Sequence, residues 1–230
     1  MIFLADNLWF PPLNVIHHFR ELERQRKIVP GSEIYRKAAE CYIVAISLMG
    51  IMKTLNREFW MQLVSDDEGS PDVRTGCYEK KIRDNDFAVQ DVEVVTFDEH
   101  TSETNLIDFL MNTKLARKKS YDDQTTILCH VHRPILVPPY AELQKALAEK
   151  NLATHAPIII IGKSDPAKEM YSMAQIYPTV DLVATFDLAQ ECLRHPKRRV
   201  LRLKRSGKST IEVMSTPDEK HYPFEKLGLV

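Results

Sequence analysis

Three carboxylates in two short stretches have the types and spacing for joint chemistry. Asp72 follows Pro71 in Ser70-Pro71-Asp72-Val73-Arg74-Thr75, and Asp91 and Glu93 interrupt the apolar run Val89-Gln90-Asp91-Val92-Glu93-Val94-Val95-Thr96. Strand alternation puts Asp91 and Glu93 on one face, about 7 Å apart, with Val92 and Val94 on the other. If the segment around Asp72 pairs as the neighbouring strand, about 4.8 Å away, all three acids converge. Like charges that close repel unless protons or a cation neutralise them, and hard oxygen ligands suit Mg²⁺ or Mn²⁺. Such an ion would orient a water, lower its pKa and offset charge growing on a phosphate, so the chemistry implied is phosphodiester hydrolysis. The plainer alternative is a Pro-Asp turn beside the polar face of an edge strand.

The elements that must position these acids follow from pattern. A short helix is expected from Asn14 to about Lys27, ending before Pro30-Gly31. Ser32 is the N-cap of a stronger helix from Glu33 to about Met52, with Ile34, Ala38, Cys41, Ala45 and Leu48 along one stripe. Strands are expected over Phe59 to Val64, Val73 to Lys81, Phe87 to Phe97 and Thr126 to Val131, the second and third separated by a charged turn from Ile82 to Asp86. A helix from about Glu103 to Leu115, capped by Ser102 or Thr101, precedes the last of them. Beyond Pro134 the pattern alternates: helix Tyr140 to Asn151, buried strand Pro157 to Ile161, helix Ala167 to Ile176, strand Asp181 to Phe186, helix Leu188 to Leu193. Continuous β-branched runs between helices predict parallel strands covered on both faces. Val200 to Lys204 and Thr210 to Met214 read as a β-hairpin around Ser206-Gly207, and the last dozen residues as a packing tail.

The Pro-Asp at the start of one strand and the acid-bearing apolar strand after it resemble the PD-(D/E)xK nuclease superfamily, the restriction-endonuclease-like fold. The order helix, three strands, helix, strand over Glu33 to Val131 is what that fold calls for. The resemblance implies a metal-dependent DNA endonuclease with Asp72, Asp91 and Glu93 as catalytic and metal-binding residues, and Glu40 on the first helix as a further acidic ligand. In that family a lysine follows the acid by two residues. Aligned on Glu93 that position holds Val95; aligned on Asp91 it holds Glu93. Arg74, Lys80 and Lys81 are the candidates to take over the lysine's role. The alternative is a catalytically inactive member of the fold that binds nucleic acid or a protein. The Glu40 alternative is an i,i+4 ion pair with Arg36.

The expected fold class is therefore α/β: a mixed central sheet flanked by helices, with a restriction-endonuclease-like core, a β/α extension and a C-terminal hairpin. One domain is expected over 1–230, divided into the core (33–131), the extension (132–196) and the hairpin (197–216). With 44% hydrophobic and 27% charged residues and a net charge of −1, no whole-protein field attracts nucleic acid, so contact with DNA needs a local patch. Lys197, Arg198, Arg199, Arg202, Lys204, Arg205 and Lys208 around the hairpin form one, and Lys114, Arg117, Lys118 and Lys119 a smaller one. A solvated basic hairpin is the bland account.

Four scattered cysteines without a CxxC pair exclude a zinc ribbon and a disulfide framework, and fit a reducing cytoplasm. No apolar run approaches the 18 to 20 residues or so that span a bilayer, so no membrane partner is expected. A homodimer is allowed by the resemblance. Gly162-Lys163-Ser164 and Gly207-Lys208-Ser209 lack the earlier glycine of a P-loop, and a Rossmann-like binder lacks its glycine-rich turn. The acid run Asp66-Asp67-Glu68 lacks the spacing of a calcium loop, and His130-Val131-His132 has no third ligand at motif spacing.

Overall fold

The computed structural model describes residues 8–64, 71–80, 85–115, 121–133, 137–150, 152, 154–165, 167–195, 200–206, 210–215 and 223–224. Its longest helix decides the packing. After α1 (Pro12–Arg24), which opens on a proline suited to a first helical turn, Ser32 caps α2 (Glu33–Leu55) by accepting the Tyr35 N–H at 3.1 Å. α2 runs three residues past Met52 and stops where Asn56 takes a left-handed conformation, φ 49°. An 18-residue window of α2, with mean hydropathy 1.5, is long and apolar enough to cross a membrane by composition. That corrects the expectation that no run approaches this length. Two thirds of the window is buried inside the protein (67%), because its apolar sides pack on α1 and the sheet.

Seven strands form one mixed sheet: β2 (Phe59–Leu63), β3 (Val73–Lys80), β4 (Asn85–Phe97), β5 (Thr125–Val131), β6 (Ile158–Asp165), β7 (Met170–Tyr177) and β8 (Asp181–Asp187), adjacent in chain order. β2, β3 and β4 are antiparallel, β4, β5 and β6 parallel, and β6, β7 and β8 antiparallel again. α3 (Leu106–Thr113) and α4 (Tyr140–Glu149) connect the parallel strands and cover one face, with Phe97, Leu110, Ile127, Ile158 and Leu147 buried between. α1 and α2 cover the other face, over Val73, Val92, Val94, Leu128 and Ile159. α5 (Leu188–Arg194) follows β8. The fold is mixed α/β, as expected.

A smaller sheet joins β1 (Leu8–Trp9), β9 (Leu201–Ser206) and β10 (Thr210–Ser215), so the expected hairpin forms and gains a third strand from the start of the chain. Trp9, Trp60, Phe87 and Leu201 form a separate aromatic core there. Of the expected packing tail only residues 223–224 are described; Phe224 is fully buried in the core beneath α1 and α2.

Several expectations fail. Ala167 to Ile176 is not a helix: β7 occupies most of it and folds back on β6 as a hairpin. Asp165 makes the turn, its Oδ1 accepting the Ala167 N–H at 2.9 Å. Met170, Tyr171, Met173, Ala174 and Ile176 satisfy a helical spacing as well as a strand's, and pairing with β6 on one side and β8 on the other decides for strand. The parallel sheet covered on both faces therefore stops at β6, and β8 is an edge strand with alternating burial. α3 is also shorter than expected, and its cap is Asn105, which accepts the Asp108 N–H at 2.8 Å. Thr101 is occupied with Asp98 and Ser102 with Glu103. Asn85 and Asp86, expected in a turn, start β4; the rest of that turn and the run 65–70 lie outside the described residues.

Candidate active site

Asp72 stands one residue before β3, where the ladder to β4 runs out. The last pair is Val73 with Val92. Continuing by one puts Asp72 opposite Glu93, and its Oδ2 accepts the Val94 N–H at 2.7 Å. With no strand of its own to separate the two faces at this point, Asp72 is felt from both sides of the sheet. Toward α2, the Lys37 ammonium lies 3.6 Å from Oδ1. Toward α3, its charge acts on Lys114 and Tyr121.

Glu40 lies one helical turn beyond Lys37 on α2. Its Oε1 accepts from Arg36 at 2.8 Å, the i,i+4 pair anticipated as the alternative role. Its Oε2 is buried and has no hydrogen-bond partner. Burial, then the Asp72 charge, holds the Glu40 carboxyl above its ordinary pKa, against the pull of Arg36 and Lys37. Glu93 is buried too, 5% exposed, and its Oε2 accepts from the Lys114 ammonium at 2.5 Å. Burial pulls the Lys114 pKa down, but the hydrogen bond to Glu93 and the charges of Glu93 and Asp72 outweigh it, leaving it raised.

Asp91 goes elsewhere. Its Oδ1 is 3.3 Å from Arg74 Nε, directly across the ladder. Burial raises its pKa, Arg74 opposes, and Asp122 and Glu93 add to the rise. Glu40, Asp72 and Glu93 are thus brought into one electrostatic group, and Asp91 is at its margin. Among the described residues no three His, Cys, Asp or Glu side chains stand together as an ion-binding group. Lys37 and Lys114 stand beside Asp72 and Glu93, where the sequence pattern had suggested a metal ion.

Lys37 and Lys114 are the residues that sequence pattern missed. Lys37 is 4% exposed. It precedes Cys41 by four on the buried stripe of α2, a position where an ammonium must have an anionic partner. Lys114 was grouped with a basic surface cluster, of which 117–119 lie outside the described residues. Of the three cations put forward for the lysine role, the two that are described do not fill it. Arg74 is paired with Asp91. Lys80 ends β3, about 26 Å along the strand from Asp72, and Lys81 lies outside the described residues.

Of the basic hairpin, Arg202 is exposed on β9, and Lys204 and Arg205 occupy β9 opposite Glu212 and Ile211 in register. Arg198, Arg199 and Lys208 lie outside the described residues. No family model, curated protein or solved structure matches this chain.

Proposed function

We propose that the chain is a Mg²⁺- or Mn²⁺-dependent nuclease that hydrolyses phosphodiester bonds of DNA on a restriction-endonuclease-like core running from α2 to β5. The observation that carries this reading is the meeting of Glu40, Asp72 and Glu93 with Lys114 at the start of β3. The element order α2, β2, β3, β4, α3, β5, paired in sequence, supports it. Pairing of Asp91 with Arg74 favours the alignment on Glu93, in which Lys114 comes from the end of α3 to the acid that Val95 cannot serve.

The donors fit a magnesium ion of a particular kind. Mg²⁺ keeps several waters and takes one or two protein carboxylates plus substrate phosphate oxygens. The buried, unpartnered Oε2 of Glu40 beside Asp72 is such a donor set. When bound, the ion would supply an activated water and offset charge on the phosphate. Lys37 pairs with Asp72 and orients it. Lys114, with its raised pKa, stays protonated at neutral pH and donates hydrogen bonds to a phosphate oxygen; it is not a base. DNA would lie along the basic residues of the hairpin, Arg198, Arg199, Arg202, Lys204, Arg205 and Lys208. Four free cysteines support a cytoplasmic location.

A specific observation favours a second reading. Lys37 and Lys114 already neutralise Asp72 and Glu93, which suits a catalytically inactive fold that binds DNA or a protein. Calorimetric titration with Mn²⁺ separates the two. The nuclease reading expects binding by the wild type that is lost in Asp72→Ala and Glu40→Gln and kept in Asp91→Ala. A folded wild-type protein that takes up no Mn²⁺, with or without DNA, would sink it.

A further inference from the structure

The carboxyl ends of β5 and β6 carry three nitrogen-bearing side chains for which the site above has no use. His130 and His132 lie two apart at the end of β5 and share a face, their ring centroids 5.2 Å apart. On the next strand Gly162 is the register partner of Val131, so Lys163 stands beside His132. The Lys163 ammonium is 6.0 Å from the ring centre of Tyr171. None of the three has a hydrogen-bond or ion-pair partner among the described residues. His132 and Lys163 are exposed and His130 is partly so.

The charged groups acting on His130 are His132, Lys163 and Asp98. Burial first, then His132 and Lys163, push its pKa down to about 4, with Asp98 opposing. Asp98 is itself committed, its Oδ1 accepting from His100 N–H and Thr101 Oγ1. The result is a cluster of donors beside a positive charge with no acceptor supplied by the described residues. It lies outside the carboxyl ends of parallel strands, where open α/β sheets take their ligands. It is also close to the acids: His130 is the register partner of Thr96, two residues beyond Val94, whose N–H holds Asp72. Strand geometry puts the His130 and Val94 backbones about 8 Å apart.

We propose that His130, His132 and Lys163 form an anion subsite that grips a nucleic-acid phosphate next to the one at Asp72. The source of that phosphate rests on the nuclease reading; the anion site does not. Lys163 supplies a point charge and the imidazoles supply directed N–H donors.

The test is NMR of the histidine ring protons in metal-free, phosphate-free buffer, titrated with inorganic phosphate and then with a 5′-phosphorylated thymidine dinucleotide. The expected result is saturable movement of the His130 and His132 signals with both probes and an upward shift of the His130 titration. Lys163→Ala and His132→Ala, both surface changes, should each weaken binding about ten-fold, and Asp72→Ala should leave it intact. Absence of movement, or movement that survives both surface variants, would overturn the site. Binding of inorganic phosphate with exclusion of the dinucleotide would overturn its assignment to a nucleic-acid strand. Because no metal is present, failure of the metal chemistry would leave this result unchanged, so the two ideas fail separately.

Discussion

The Asp72 carboxylate holds the Val94 amide: Oδ2 accepts that N–H at 2.7 Å, just past the last backbone pair between β3 and β4. A side chain takes over the ladder where the strand stops. This fixes Asp72 between two elements that carry lysines, α2 with Lys37 and the end of α3 with Lys114.

Removing that carboxylate should be felt on both sides. Asp72→Ala loses the hydrogen bond to the Val94 amide and takes a carboxylate away from the buried Lys37 ammonium, so a destabilisation of about 2–4 kcal/mol is expected. Combining it with Lys37→Met should recover part of the loss. Urea unfolding of the single and double variants checks this; a double variant no more stable than Asp72→Ala would contradict the Lys37–Asp72 pair.

Lys114 and Glu93 form the more buried pair. Lys114→Met should cost about 3 kcal/mol at neutral pH, because it takes the ammonium away from a buried carboxylate. The Lys114 pKa is raised from 10.5 in the fold. Its stabilising contribution is therefore fully present below 10.5 and is lost as pH rises through the folded value. Stability curves of wild type and Lys114→Met should converge in that alkaline range, and parallel curves throughout would show that Lys114 contributes nothing by its charge.

Glu40 carries the opposite sign. Its pKa is raised from 4.5, so the folded protein holds the proton more tightly than the unfolded chain. Stability falls as pH rises from 4.5 through the folded value, and the ionised carboxylate destabilises the fold above it. Glu40→Gln should therefore be more stable than wild type at neutral pH, and the difference should vanish in acid. Mg²⁺ should raise the unfolding temperature of the wild type and not of Glu40→Gln. A variant less stable at neutral pH would mean that the Arg36 pair outweighs burial.

The core of the fold was legible where local chemistry and pattern agree. Ser32 announces α2, and the alternation from Val73 to Phe97 announces two strands whose pairing brings Asp72 to Glu93. β7 was not legible, since its apolar residues fit two periods and only its neighbours choose between them. Lys37 and Lys114 were hidden for a related reason: their partners are distant in the chain, and a lysine's spacing does not tell whether its charge meets solvent or a buried acid. Asp91 and Glu93, alike in the strand pattern, were separated by Arg74 across the ladder.

Close packing of α2 gives a prediction independent of function. A Cβ on Gly50 would lie 2.5 Å from Met173 Sδ and 2.6 Å from Phe186 Cε1. Gly50→Ala must push α2 off β7 and β8, and a loss of about 1–3 kcal/mol is expected despite alanine's better helix propensity. Thermal unfolding reads this directly, and a stabilised variant would contradict the contact.

The measurement that tests the central claim most directly is cleavage of labelled DNA, single- and double-stranded, by the purified protein with Mn²⁺ or Mg²⁺ and with chelator. Metal-dependent products are predicted from the wild type. The rate should fall at least 10²-fold or so in folded Asp72→Asn and Lys114→Met, and little in Asp91→Ala. DNA that is bound and left intact by a wild-type protein shown to take up Mn²⁺ would contradict the nuclease reading, as would cleavage that Asp72→Asn and Lys114→Met leave unchanged.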